Sequence, residues 1–245
     1  MKPLKQKYFA FVLIIFSIFS TQMIIAQNNS DLEGWSSVGL NLKATKKLSF
    51  SVSEHLRSRN DISTVKNYFT QIKANYEVLK NLELGGGIRY ITKNDDVGNK
   101  QGLRAYFRYQ FDASYTQKLN KIGVLFRLRY QNKNQLGMSE EEGDIAQEFI
   151  RTRIGFGYKI KAVKLNVRLF AEHFNQPNNS KLEQTETRMR YTLKLSRKFK
   201  KIGNFTVFYG IQENNLNQEK TNKSFLSKYE RFFVSFTIIV HLHLI

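Results

Sequence analysis

The sequence contains no cysteine, only two prolines and a single tryptophan, and its 20 Asp+Glu are outnumbered by 39 Lys+Arg. Without a thiol, disulfides, thiolate metal sites, cysteine nucleophiles and lipid attachment at cysteine are excluded. Scarce proline leaves nearly every backbone N–H free to donate to a ladder, and 20 Phe with 12 Tyr add to the β-preference. Also missing is any apolar run of the roughly 20 residues that a spanning helix needs. The longest stretches are "YFAFVLIIFSIF" near the N-terminus and the 14-residue "FFVSFTIIVHLHLI" at the end. A chain like this can cross a membrane only as a closed barrel, because open sheet edges cannot be left in lipid.

What is present begins with a leader. Lys2, Lys5 and Lys7 precede the apolar stretch, and "MIIA" supplies a small residue at Ala26. This arrangement predicts a secretory signal over residues 1–26, cleaved after Ala26, and a mature domain over 27–245. Those three lysines are the only charged residues in the segment, so the formal charge falls from +19 to +16 on cleavage. Export demotes the nucleic-acid partner that such a basic chain would otherwise suggest.

The mature chain alternates. In "LRAYFRYQFDASY", Leu103, Ala105, Phe107, Tyr109, Phe111 and Ala113 share one face, while Arg104, Arg108, Gln110 and Asp112 share the other. In "GVLFRLRYQ", Val124, Phe126, Leu128 and Tyr130 oppose Arg127, Arg129 and Gln131. The same pattern recurs in "LELGGGIRYITK", "FIRTRIGFGYKI" and "TRMRYTLKLS". Each run reaches about ten residues, the length a tilted strand needs to cross a bilayer, whereas soluble strands usually stop near five or six. Short connections such as "TKK" and "LNK" alternate with longer polar ones such as "NDISTVK" and "QLGMSEEEGDIAQ". That layout predicts an all-β fold, a transmembrane antiparallel up-and-down β-barrel with short turns at one end and long loops at the other. Eleven strands can be counted, starting near 34–44 and ending at 225–245. Bacterial barrels have even numbers, so the expectation is ten to twelve strands. The first strand must begin at the long-loop end, although an exported chain would deliver its N-terminus to the other.

The segments "GWSSVGL", "LSFSVSEHLRSR", "LGGGIRY" and "RLRYQNK", with the basic short turns, resemble a family of uncharacterised bacterial outer-membrane barrels, domain of unknown function 2490. The resemblance implies a location in the bacterial outer membrane and a barrel fold, and it implies no catalytic residues. The last strand departs from the usual assembly signal by ending in Ile245 instead of an aromatic residue.

Candidate chemistry lies on the polar face. Arg57, Arg59, Arg89, Arg104, Arg108, Arg127, Arg129, Arg151, Arg153, Arg168, Arg188 and Arg190 all oppose the main apolar stripe and are predicted to line the lumen. Acidic partners that could share it are Glu77, Glu83, Asp112, Glu148 and Glu172; Glu54 points outward unless a bulge intervenes. Cations in such excess either knit the lumen shut through ion pairs or favour anions in a water-filled pore.

Other motifs carry less. "SEH" brings Ser53, Glu54 and His55 together, and Glu172 adjoins His173, but no G-x-S-x-G elbow occurs. His241 and His243 share a face and could chelate a metal, although an interfacial or lumenal role is the expectation. The acidic loop "SEEEGD" lacks EF-hand spacing, and no nucleotide-binding glycine motif appears, so no cofactor is expected. The functional expectation is a non-enzymatic barrel, either a narrow anion-favouring pore or a structural surface protein. Its partners would be outer-membrane lipid, lipopolysaccharide, the barrel-assembly machinery and small anions. The alternative is a lipid-modifying barrel enzyme, an esterase or deacylase at the outer leaflet.

Overall fold

Alternating side chains can satisfy two solvents at once only if the sheet separates an inside from an outside, and this sheet closes. The computed structural model describes residues 30–95, 101–139, 141–142, 144–177, 184–199, 203–218 and 227–243. The predicted signal segment, the path of residues 27–29 and Ile245 lie outside the described residues.

Eleven strands follow one another: β1 (Ser30–Lys43), β2 (Leu48–Arg59), β3 (Thr64–Leu79), β4 (Leu82–Asp95), β5 (Gly102–Leu119), β6 (Ile122–Gln135), β7 (Gln147–Ile160), β8 (Leu165–Asn175), β9 (Gln184–Phe199), β10 (Gly203–Gln218) and β11 (Ser227–His243). Each pairs antiparallel with the next, and β11 lies against β1 to complete a closed barrel. Ten antiparallel steps in sequence order reverse the direction an even number of times, so β1 and β11 run the same way and the closing seam is parallel. Ser37 and Thr237 join hydroxyls across it at 2.7 Å. An odd count among the described residues therefore differs from the even-number rule, and the parallel seam is its geometric consequence. As the turn order required, β1 begins at the end that carries the longer connections.

Several strands outrun the apolar alternation. The expected loop 60–66 shortens to 60–63, with Asn60, Asp61 and Ile62 all at positive φ. Strand β10 continues to Gln218, paired with Gln184 on one side and, through Leu216, with Ser227 on the other. Backbone partners on both flanks hold these polar residues in the ladder where side-chain hydrophobicity would not.

The two faces are the inverse of a water-soluble core. Outside, Val38, Val52, Leu56, Ile72, Ile88, Phe111, Phe126, Leu128, Ile154, Phe156 and Leu169 are exposed by 44–62%. Inside, contacts join strands that are not neighbours, as with Arg127 of β6 to Glu172 of β8 and Trp35 of β1 to Phe208 of β10. Of the described hydrophobic side chains only Phe69, Phe149 and Phe174 are fully buried, against thirteen buried polar or charged residues. Polar contacts, not grease, therefore fill the interior.

Gly155 shows how tightly. It faces inward, and a Cβ there would lie 2.7 Å from Phe170 Cε1 and 3.3 Å from the Leu169 carbonyl. Outward-facing Gly86 has nothing closer than 3.9 Å. Urea unfolding followed through Trp35 fluorescence should therefore show Gly155→Ala destabilised by about 1–3 kcal/mol. Gly86→Ala should stay within roughly 0.5 kcal/mol of the parent.

Candidate functional site

The strand register decides which charges meet. Across β5, β6 and β7, Asp112 stands opposite Arg129, and Arg129 opposite Arg151. One rung further along, Arg127 faces Arg153, Arg153 faces Glu172, and Glu172 faces Arg190. Two arginine pairs are thus direct cross-strand neighbours, an arrangement that repels unless anions intervene.

Two carboxylates do so. Glu172, 1% exposed, accepts from Arg127 Nη2 at 2.6 Å, Arg151 Nη2 at 2.9 Å and Arg153 Nη2 at 2.6 Å. Asp112 is held in a two-pronged grip by Arg129, which donates Nη2 to Oδ2 at 2.9 Å and Nε to Oδ1. Lys73 approaches the same carboxylate at 3.4 Å, and Gln110 donates to it at 3.2 Å. Amides extend the network: Arg108 donates to Gln110 at 2.7 Å and Arg151 to Gln131 at 2.8 Å. The guanidinium of Arg151 also lies 4.1 Å from the ring centre of Phe174. Together these groups form a plug across the middle of the barrel.

A chamber lies on each side of the plug. Toward the short turns, a cavity of about 310 Å³ is lined by Lys73, Glu83, Asp112, Arg127, Arg153, Arg168, Phe170 and Lys194 among others. Toward the long connections, one of about 210 Å³ is lined by Trp35, Arg57, Phe69, Arg89, Arg108, Lys133, Phe149 and Arg188 among others. Trp35 and Arg190 border both. In the upper chamber aromatic faces hold the cations. Arg57 stacks 3.9 Å from the centre of Trp35, Arg89 4.5 Å from Phe69, Lys133 4.7 Å from Tyr106 and Arg188 4.7 Å from Phe149.

Ten of the twelve arginines read from alternation thus border the two chambers or the plug. Arg59 and Arg104 sit at the long-connection rim, where Arg59 donates to the Asn94 carbonyl at 3.3 Å and Arg104 pairs with Asp95 at 2.8 Å. Among the acids, Asp112 and Glu172 belong to the plug, Glu83 borders the lower chamber and Glu77 is exposed where β3 bulges near its end. Glu148 is a correction. It accepts from Tyr130 at 2.8 Å and Asn132 at 3.0 Å on the outside of the barrel, because it shares the parity of exposed Ile150 and Ile154. Glu54 also faces outward, accepting from Thr70 at 2.7 Å, so strict alternation holds there without a bulge.

Alternation missed Glu33, Trp35 and Lys66: β1 and β3 begin earlier than their apolar residues suggest, which hides Glu33 and Lys66, and Trp35 lies within the expected first strand but is not one of the charged residues read as lumenal. Their parity opposite Val38 and Leu40 was the available signal for the first two. The histidines separate: Ser53 and His55 are hydrogen-bonded at 2.9 Å inside, with the imidazole stacked on Phe69 at 4.4 Å. His173 is exposed on the face opposite its neighbour Glu172, so those two cannot act together. The side chains of His241 and His243 lie outside the described ones. In the acidic loop, Glu142 accepts from the Ser139 N–H at 2.7 Å and Asp144 from the Gln135 N–H at 2.9 Å, so both carboxylates shape the loop itself. The Ser139 hydrogen bonds hold the Glu142 carboxyl below its ordinary pKa.

Glu172→Gln removes the buried charge shared by Arg151 and the half-buried Arg127 and Arg153, and stability should fall by about 3–5 kcal/mol in urea unfolding. Exposed Glu77→Gln should change it by less than about 0.5 kcal/mol. Residues 32–224 match the family model described as "Protein of unknown function (DUF2490)", and no curated protein matches the chain.

Proposed function

The chain belongs to the DUF2490 family of proteins of unknown function, and from its geometry we propose an exported, non-enzymatic outer-membrane barrel whose lumen is closed at mid-height. The observation that carries this reading is the plug: Glu172 bridging Arg127, Arg151 and Arg153 beside Asp112 bound by Arg129. Residues 1–26 would serve as the export signal, and the long connections would face the cell exterior. The exposed apolar face supports a lipid setting, since a belt of that extent in water promotes aggregation. On β3 the outward tyrosines Tyr68 and Tyr76 bracket Ile72. Eight residues of strand at a tilt of about 40° separate those rings by roughly 20 Å along the barrel axis, comparable to the spacing of aromatic girdles around a thin apolar band.

On this reading the anion-favouring pore narrows to a closed form. The acids at mid-height offset part of the arginine charge and the amides brace the side chains, while the upper chamber keeps a basic surface toward the long connections. The protein is then a surface barrel with a basic vestibule. Lipid, lipopolysaccharide and the assembly machinery are the partners such a barrel requires.

A second reading, lipid ester hydrolysis, is favoured by one contact, Ser53 Oγ to His55 Nε2 at 2.9 Å. It requires that His55→Ala alter the lipid profile of the membrane. An unchanged profile removes it.

Refolded protein in a planar bilayer should be heat-modifiable yet pass no steady current. Steady anion-selective steps, diminished by Arg127→Glu with Arg129→Glu, would replace the closed barrel with an open pore. A mature chain that stays in solution without detergent would remove the membrane reading altogether.

A further inference from the structure

The plug and the upper chamber hold their cations by different means. At the plug, guanidiniums meet carboxylates. In the upper chamber, Arg57 is held by the faces of Trp35 and Phe69, Arg89 by Phe69 and the Gln71 amide oxygen, and Arg108 by Gln110. Lys133 rests on Tyr106. Rings and amides orient a cation without cancelling its charge. Among the described residues, no carboxylate forms an ion pair with any of these four. Glu33, the one acid among the described residues that line the chamber, is engaged by Lys66 and by the Trp35 indole N–H at 2.9 Å.

The register enforces this concentration of charge. Arg89 and Arg108 are direct cross-strand partners on β4 and β5, so two like charges are pressed together with no acid between them. Arg108 is 8% exposed, and its buried Nε has no hydrogen-bond partner although the side chain lines the chamber. A buried donor left unmatched is costly, and Arg188 in the same chamber carries a second one.

We propose that the upper chamber is a binding site for a phosphate-type oxyanion, a phosphate monoester or diphosphate group, gripped by Arg57, Arg89 and Arg108 with Lys133 completing the charge. The proposal rests on the closed-barrel reading only in using the plug as the chamber floor. Multiply charged oxyanions suit the arrangement better than halide because several guanidinium N–H groups can donate to separate oxygens of one group. A cavity of about 210 Å³ takes a small phosphorylated solute or a single headgroup phosphate.

Trp35, the chain's single tryptophan, lies under Arg57 and reports on the site. Full-length protein purified in detergent is titrated with pyrophosphate, glucose 6-phosphate and chloride at constant ionic strength, reading Trp35 fluorescence with calorimetry as a second measure. The expected result is saturable binding of the two phosphates and none of chloride. Arg57→Gln and Arg89→Gln should each weaken it about tenfold, while Lys161→Gln in a turn at the opposite end leaves it unchanged. Each variant is first checked for heat-modifiable migration, and Lys133→Gln, also expected to weaken binding, stands in for any that fails to fold. Chloride matching the phosphates, or arginine variants binding as tightly as the parent, would overturn the proposal. Lipopolysaccharide in mixed micelles then distinguishes the source. Competition with pyrophosphate identifies a headgroup phosphate as a ligand, and no competition identifies a soluble one. A response to lipopolysaccharide alone, with none to pyrophosphate, places phosphate contacts on the barrel exterior and overturns the chamber site. Bilayer conductance on the same preparation separates the two readings, since a barrel that binds no phosphate yet passes no current loses only the site.

Discussion

One buried carboxylate carries the arrangement of this barrel. Glu172 is all but excluded from solvent and receives hydrogen bonds from arginines on β6 and β7. Its role follows from the closure of the sheet. Once eleven strands curl into a barrel, every polar-face side chain must share a narrow interior, and the register places Arg127 against Arg153 and Arg129 against Arg151. Like charges so placed repel in a medium that screens them less than water does. Glu172 gathers Arg127, Arg151 and Arg153 into one network, and Asp112 on β5 takes Arg129 and Lys73.

The two halves of the interior then diverge for a physical reason. Carboxylates occur only at certain rungs, so the charge of the arginines is partly offset at mid-height and retained above it. Where carboxylates are absent, aromatic rings take over the task of fixing side-chain geometry. Phe69, Phe149 and Phe174 are the buried hydrophobic residues of the described chain, and each lies beneath at least one guanidinium. In an interior with little apolar packing, these contacts do part of the work that a hydrophobic core does elsewhere. Small residues admit the large ones: Gly155 leaves the space that Phe170 occupies, and Phe170 in turn lies 5.1 Å from the Arg153 guanidinium.

The outer surface obeys a simpler rule. Its apolar residues are exposed on every strand but β10 among the described residues, and several polar groups there bond to one another, as with Glu54 and Thr70 or Glu148, Tyr130 and Asn132. A side chain's face is set by parity, so Glu148 is outside for the same reason that Ile150 is. Arg151 and Arg153 take the opposite parity on the same strand, and so turn inward.

Alternation with period two, the long runs and the uneven connections were legible in the sequence, because strand geometry maps odd and even positions onto opposite faces whatever the partner. From those features come the all-β barrel, the basic interior and the membership of most arginines in it. The extents of β1, β3 and β10 were not legible, since backbone pairing extends strands through polar residues that carry no apolar signal. Nor could the parallel seam, the plug or the choice of Glu172 and Asp112 over Glu77 and Glu83 be read there. Those depend on which residue stands opposite which across neighbouring strands, and a shift of one position in register changes every such pairing while leaving the alternation within each strand intact. Parity is a property of the strand. Neutralisation is a property of the closed sheet.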